Sequence, residues 1–144
     1  MTNINTICLC GSTRFLDDFQ RANIEFTARG LSVITISMAL PRQPDGTHKE
    51  SMLKHTLDLV HMNKILRSDA IFIVGDGYIG LSTAREILWA NMQNKAMLAQ
   101  WTYNDDAWDR IVDEIRYGSD ARDYLIAEAN AALTRLISNV SGVL

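Results

Sequence analysis

The residues best suited to chemistry stand together after an apolar run at 70–74. Three glycines and a tyrosine follow this run, and Ser82, Thr83 and Glu86 then open a helical pattern. Glycines let the backbone approach a ligand closely, and the free N–H groups of a first helical turn can bind an anion. This order predicts a strand, a tight loop and a helix N-terminus that form one binding site. The loop residues expected to line it are Gly77, Tyr78 and Gly80.

Glu86 has two interpretations. The stretch Thr83-Ala84-Arg85-Glu86 fits the capping box, in which the glutamate side chain bonds the backbone of an N-cap threonine. Alternatively, Glu86 is a carboxylate nucleophile or base, kept ionised by the helix N-terminus and held over a glycine loop that a sugar ring can approach. The local pattern by itself favours capping.

A second polar loop, Gly11-Ser12-Thr13-Arg14, follows the first apolar segment of the chain. A cation in the first turn of a helix opposes the helix dipole, so something anionic is expected near Arg14. Because two hydroxyls and free backbone N–H groups stand beside it, a phosphate is the natural candidate. The alternative is that a hydroxyl caps the helix and Arg14 pairs with Asp17 or Asp18.

A third group of ionisable residues lies on a helical pattern over 52–67. Lys54, Asp58 and His61 recur there at i, i+4 and i+7, which places them in one row along a helix. Such a row is typical of a solvated face. Asp58 and His61, together with Asp76 in the glycine loop, are also candidate acids or bases.

Cys8 and Cys10 lie two residues apart in an apolar strand pattern, so their side chains face the same side of the sheet. Such a pair is neither a disulfide framework nor a complete metal site, and His48 and His55 do not combine with it at a metal-site spacing. No P-loop or dinucleotide fingerprint is present in the sequence. We therefore expect buried, reduced thiols, no metal and no cofactor.

The elements that must position these residues alternate between strand and helix. This alternation predicts an α/β fold, with a parallel sheet of four to five strands, right-handed crossovers and helices on both faces. We expect one flavodoxin-like (Rossmann-like) domain over 1–144, with a core at about 4–101 and a helical C-terminal extension at about 105–140. The strand patterns are 4–10, 31–37, 70–74 and 96–101, and the helical patterns are 15–29, 52–67, 86–94, 105–117 and 119–139.

In the flavodoxin-like order, ligands bind where the strand order reverses, between the first and third strands. Those strands end at Gly11-Ser12-Thr13-Arg14 and at the loop from Gly75 to Glu86, so we expect the two loops to face each other across one crevice. The connection at 38–49 holds both prolines and is long for a compact domain. It is either a binding lid or a surface loop.

Composition limits the possible functions. A chain of 144 residues with 47% hydrophobic residues suffices for one globular domain. The formal charge of −3 and the pI near 5.5 argue against a protein that binds the phosphate backbone of a nucleic acid polymer. Because no apolar run is long enough to span a membrane and no signal-like segment begins the chain, we expect a cytoplasmic protein without a membrane partner.

Four short motifs, taken in order, resemble the nucleoside 2-deoxyribosyltransferase superfamily, which includes the 2'-deoxynucleoside 5'-monophosphate N-glycosidases. The resemblance covers roughly 4–101. It implies a flavodoxin-like fold, a homo-oligomer, and cleavage of an N-glycosidic bond through a glutamate nucleophile. The motifs are Leu9-Cys10-Gly11-Ser12-Thr13-Arg14, Arg67-Ser68-Asp69-Ala70, Gly77-Tyr78-Ile79-Gly80 and Thr83-Ala84-Arg85-Glu86-Ile87.

The resemblance also implies roles for single residues. Glu86 matches the nucleophile, and Ser12 and Arg14 match first-loop positions that face the substrate and its 5' phosphate. Ser82 and Thr83 lie in the loop that supplies hydroxyls in the phosphate-specific branch, although their spacing to the glutamate differs.

Two positions depart from the superfamily pattern. Cys8 stands where the hydrolases often have a tyrosine, and His61 stands where a helix carboxylate contacts the sugar hydroxyls. A histidine cannot supply the negative charge of a carboxylate. There are three alternatives: either Asp58 or Asp76 takes over this role, or the substrate differs, or catalysis has been lost. The expected function is hydrolysis or transfer on a nucleoside or nucleoside 5'-monophosphate, and the alternative is a non-catalytic nucleotide-binding or sensing module.

Overall fold

The computed structural model describes residues 3–37, 51–104 and 106–140. The long connection expected at 38–49 lies outside these ranges, as does His48. No helix within them has the length and apolar content that a membrane span requires. The elements in chain order are β1 (Thr6–Cys10), α1 (Leu16–Ala28), β2 (Ser32–Ile34), α2 (Ser51–Leu66), β3 (Ala70–Ile73), α3 (Leu81–Met92), β4 (Ala96–Ala99), α4 (Trp108–Arg116) and α5 (Arg122–Val140), with single 3₁₀ turns at Thr13–Phe15 and Gln100–Thr102.

The four strands form one parallel sheet in the order β2-β1-β3-β4. In its registers, Ile7 of β1 lies opposite Val33 of β2 and Ala70 of β3, and Ile73 lies opposite Ala99 of β4. This is the flavodoxin-like order, and it confirms the α/β fold predicted from the alternation of patterns. The strand order reverses between β1 and β3, where a ligand site is expected.

Helices cover both faces of the sheet because successive strand residues point to opposite sides. One face, which includes Leu9 and Phe72, packs against α1 and α4. The other face, which includes Cys10 and Ile73, packs against α2, α3 and α5. The polar row on α2 therefore lies on the cysteine side of the sheet.

The C-terminal helix closes the second face. Leu125, Ala129 and Ala132 of α5 are buried in the core cluster on that side. The central residues of the C-terminal extension therefore complete the core of the domain. Leu136 and Ile137 near the helix end remain exposed.

Two element boundaries differ from the predicted ones for identifiable reasons. Strand β2 ends at Ile34 instead of residue 37, because Lys64 Nζ bonds the Thr35 carbonyl oxygen at 2.8 Å and Ser37 Oγ at 3.2 Å. Helix α3 begins at Leu81, five residues before Glu86, because Gly80 serves as its N-cap. The second difference changes the interpretation of the glutamate.

Candidate active site

The two loops expected to face each other are in close contact. Gly11 has φ +138°, and a Cβ there would lie 2.9 Å from Val74 Cγ2. Gly75 has φ +117°, and its Cβ would lie 2.6 Å from the Phe15 ring. Only glycine combines such backbone angles with such close approach. The glycines thus hold the loops after β1 and β3 against each other at the strand-order reversal.

Arg14 joins the two loops through its side chain. Its guanidinium carbon lies 3.6 Å from the centre of the Tyr78 ring, a cation–π contact between two exposed residues. Ser12 is the N-cap of the short 3₁₀ turn, and its Oγ accepts from Arg14 N at 3.3 Å. Within the described ranges Arg14 forms no ion pair with Asp17 or with Asp18. The guanidinium therefore lies over the Tyr78 ring and has no carboxylate partner among the described residues.

Glu86 is not the glutamate of a capping box. The N-cap of α3 is Gly80, whose carbonyl oxygen accepts from Ala84 N at 2.9 Å. Glu86 consequently lies in the second turn of the helix, beyond the N3 position that a capping box requires. Its side chain is only 12% exposed, and its Oε2 has no hydrogen-bond partner among the described residues. Thr83, the expected cap, is itself buried.

The row on α2 reaches across to the start of α3. Lys54 Nζ bonds Asp58 Oδ1 at 2.8 Å and Ser82 Oγ at 2.9 Å. One turn further on, His61 Nε2 lies 3.8 Å from Glu86 Oε1. His61 is 6% exposed, so the prediction of a solvated face is wrong for this residue. Lys54 is the site residue to which sequence reasoning gave no role, although its place in the row on α2 was the available signal.

The thiols of β1 lie beside the same histidine. His61 Nε2 is 3.4 Å from Cys10 Sγ and 3.9 Å from Cys8 Sγ. Both cysteines are free and buried, in agreement with the prediction. Their convergence with His61 was not predicted, because no motif connects residues 51 or more positions apart. The available signal was that Cys8 and Cys10 share a face of the sheet that some helix must cover.

Burial raises the pKa of Glu86 to about 7. The favourable charges of His61 and Lys54 oppose this shift, whereas those of Cys8 and Asp58 add to it. Glu86 lies beyond the first turn of α3, so the helix N-terminus stabilises its ionised form less than was expected, and desolvation is the largest effect on its pKa.

Three further pKa values are shifted in this cluster. Burial by itself lowers the pKa of His61, but the hydrogen bond with Cys8 and the charge of Glu86 reverse this, so the net pKa is raised. The hydrogen bond from Cys10, supported by His61, lowers the pKa of the Cys8 thiol to about 6 despite its burial. Desolvation raises the pKa of Cys10. The cluster therefore holds a thiolate-prone sulfur beside a histidine that favours protonation.

Asp76 has a structural contact in the glycine loop. Its Oδ1 accepts from Tyr78 N at 3.2 Å, which closes a tight turn on the surface. Gly80 lies under the Tyr78 ring, where a Cβ would be 3.3 Å from Oη, and a Cβ on Gly77 would be 3.9 Å from Trp101. Asp76 is exposed, and the loop glycines lie close to Tyr78 and Trp101. Asp58 and His61, by contrast, change the pKa of Glu86 through their charges.

No protein family and no curated protein matches this chain. A solved structure that is similar is that of the Clostridium botulinum CMP N-glycosidase BcmB. The two chains are 16% identical, the match covers 81% of this chain and 84% of that chain, and the TM-score is 0.44. The flavodoxin-like fold of this protein therefore rests on its own strand order and its two packed faces.

Proposed function

We propose that this protein cleaves or transfers at the N-glycosidic bond of a nucleoside or nucleoside 5'-monophosphate, with Glu86 as the nucleophile. The observation that carries the proposal is the position of the Glu86 carboxylate. It is buried beside the end of β1, in the helix that follows β3, and its Oε2 has no partner among the described residues. A buried carboxylate oxygen without a partner is costly, and a reacting group justifies that cost.

In the proposed reaction, a Glu86 oxygen attacks the anomeric carbon while the bond from that carbon to the base nitrogen breaks. The product is a covalent glycosyl-enzyme, which water or a second base resolves with net retention. The departing base nitrogen takes up a proton. Of the candidate acids His61, Asp58 and Asp76, only His61 is buried, and its Nε2 lies 3.8 Å from Glu86 Oε1.

Two cations support the preference for a 5' phosphate. Arg14 lies over Tyr78 on the side of the first loop, and Lys54 is held by Asp58 against Ser82 at the start of α3. Both are exposed, so an incoming phosphate can reach them. Ser12 and Ser82 add hydroxyl donors at the same edge, whereas buried Thr83 is less accessible to a ligand.

The test is release of free base, followed by chromatography, from a panel of ribo- and deoxyribonucleosides and their 5'-monophosphates. We expect release by the wild-type protein and a loss of roughly 10³-fold or more in Glu86→Gln. Glu128→Gln, which changes a helix glutamate on α5, is the matched control. Melting curves for both variants separate loss of chemistry from loss of fold. Release that survives Glu86→Ala unchanged would exclude Glu86 as the nucleophile.

A second candidate function is a nucleotide-binding or sensing module. The observation that favours it is His61, which stands beside Glu86 at the position where the resemblance implies a carboxylate. In that case nucleoside monophosphates would raise the melting temperature of the wild-type protein without any base release, and Arg14→Ala would reduce the shift.

A further inference from the structure

Three buried side chains from two elements converge on one point on the cysteine face of the sheet. The ligand atoms of Cys8, Cys10 and His61 all lie within 4.8 Å of one another. The cysteines come from β1, which pairs with β2 on one side and β3 on the other, and the histidine comes from α2. The glycosidic scheme uses neither cysteine, so this convergence needs its own explanation.

The distances in this cluster fit a tetrahedral metal centre. Bonds of about 2.3 Å to sulfur and about 2.05 Å to nitrogen place neighbouring ligand atoms about 3.6 Å apart. The observed distances from His61 Nε2 are 3.4 Å to Cys10 Sγ and 3.9 Å to Cys8 Sγ. The two sulfurs lie within 4.8 Å of each other, against about 3.8 Å in a tetrahedral zinc centre, so an ion can enter between the three ligand atoms if the sulfurs approach each other by up to about 1 Å. A paired strand and a packed helix hold the ligands in place in advance.

The donor set selects the kind of ion. Two sulfurs and one imidazole nitrogen suit zinc, whereas magnesium and calcium prefer oxygen ligands. Two thiolates also balance the charge of a divalent cation, which a buried site requires because an unpaired charge there is costly. All three ligand residues are buried, with His61 the most exposed at 6%.

We propose that Cys8, Cys10 and His61 bind a zinc ion, and that the Glu86 carboxylate, which lies beside His61 but outside this three-residue group, turns toward the fourth coordination position. Glu86 Oε1 lies 3.8 Å from His61 Nε2, and Oε2 is buried without a partner among the described residues. Binding breaks the S–H bond of each protonated thiol heterolytically, forms two sulfur–zinc bonds and releases the protons to the buffer. No oxidation or reduction takes place. The proposal does not depend on the glycosidic function, because it concerns ion binding alone.

The first experiment uses the full chain, reduced and freed of metal by a chelator, and titrates it with Zn²⁺ and separately with Co²⁺. We expect one ion per chain. We also expect a cobalt spectrum with thiolate-to-metal charge transfer in the near ultraviolet and the visible bands of a four-coordinate ion. Zinc should also protect both thiols from alkylation, and a chelator should restore their reactivity. A cobalt spectrum without thiolate charge transfer would overturn the proposal.

Variants then assign the ligands. Cys10→Ser and His61→Ala should weaken zinc binding by at least about 100-fold, whereas His55→Ala, an exposed histidine on the same helix, should bind zinc like the wild type. Because Cys10 is in the core, its substitution could unfold the chain. Circular dichroism of each metal-free variant therefore tests whether that variant is folded. Alkylation protection in the wild-type chain tests the same site without any substitution. Unchanged affinity in folded His61→Ala would contradict the proposal.

Glu86→Gln tests the fourth position separately. We expect zinc affinity to fall about tenfold with the cobalt charge-transfer band retained, because the sulfur ligands stay in place. Unchanged affinity would remove Glu86 from the site and leave the three-residue centre standing. Loss of base release in the same variant, measured without metal, bears only on the glycosidic proposal, so the two failures are distinguishable.

Discussion

The two faces of the sheet differ in the side chains that surround β1. On one side of β1, Ile7 and Leu9 enter a core of hydrophobic side chains with Phe26 and Phe72. On the other side, the thiol of Cys10 lies beside ionisable groups of α2 and α3. A strand buried on both faces can therefore present inert packing on one side and a titratable cluster on the other. Both faces are packed, but the ionisable side chains of the candidate site are buried against only one of them.

The largest expected effect is on the apolar face. Phe26 is fully buried, with ring centres 4.9 Å from Phe72 and 5.4 Å from Trp108. Phe26→Ala should lower the free energy of unfolding by about 3–5 kcal/mol, because it removes aromatic contacts and leaves a cavity. Denaturant unfolding measures this change. Ile24→Ala, at an exposed position of the same helix, should stay within about 0.5 kcal/mol of wild type.

The contrast between the two faces would be wrong if Phe26→Ala lowered the free energy of unfolding by less than about 1 kcal/mol. The aromatic cluster would then not be what stabilises the apolar face. The contrast would also be wrong if zinc binding by the folded fraction of Phe26→Ala changed as strongly as in His61→Ala. Either result would mean that the two faces are not separate in function.

The next largest effect is expected on the cysteine face, where zinc binding and base release would both involve Glu86. Zinc at a hundredfold excess over its dissociation constant should raise the free energy of unfolding by about 2.7 kcal/mol, because the ion binds the folded chain. If Glu86 is also the glycosyl nucleophile, the same zinc should suppress base release. Melting curves and base release, measured with and without zinc, check both effects.

Cys10→Ser provides the control for this prediction, because the glycosidic scheme uses neither cysteine and both effects of zinc should be lost in this variant. Stabilisation by zinc with full base release would show that the ion leaves Glu86 free to react. Suppression of base release without any change in melting would place the inhibiting ion elsewhere.

A smaller effect is expected at the edge where the two loops meet. If Arg14 binds the 5' phosphate, as proposed, Arg14→Ala should reduce kcat/KM for nucleoside 5'-monophosphates about tenfold and leave that for nucleosides without phosphate nearly unchanged. Arg135→Ala, at an exposed position of α5, is the control. Equal losses on both substrate classes would mean that Arg14 instead supports the loop through Tyr78.

The smallest effect concerns a surface contact near the apolar face. The hydrogen bond from the Tyr103 hydroxyl, followed by the contact with Arg110, holds the pKa of Glu114 below its usual value. A depressed carboxyl pKa stabilises the fold above the unfolded value of about 4.3, and this stabilisation is lost as the pH falls through the folded pKa. Because Glu114 is 34% exposed, the contribution should be only a few tenths of a kcal/mol.

Denaturant unfolding of Tyr103→Phe at neutral pH and at about pH 3 measures this contribution against wild type. The difference should be larger at neutral pH and should shrink in acid. Tyr117→Phe, at an exposed position, should show no such dependence. A difference that grows in acid would contradict the assigned direction of the shift.

Sequence patterns predicted the elements well where local preferences decide them. Apolar β-rich runs marked the strands, and glycine with polar residues marked their ends, so both loops of the site were found. The predicted element boundaries were wrong where a contact distant in sequence sets the end of an element, as the bond from Lys64 does at the end of β2. The helix start at Gly80 was missed because Thr83 and Glu86 match a capping box locally, whereas the chain becomes helical earlier.

The sequence by itself determined the alternation of strands and helices, the two polar loops, and the placement of Cys8 and Cys10 on one face. All of these follow from periodicities of two and 3.6 residues and from glycine at strand ends. Only the tertiary structure brought His61 to Cys10 and Glu86 and buried the carboxylate. The packing of α2 and α3 on the sheet sets those distances, and desolvation by the whole fold sets the raised pKa of Glu86. No local pattern encodes either quantity.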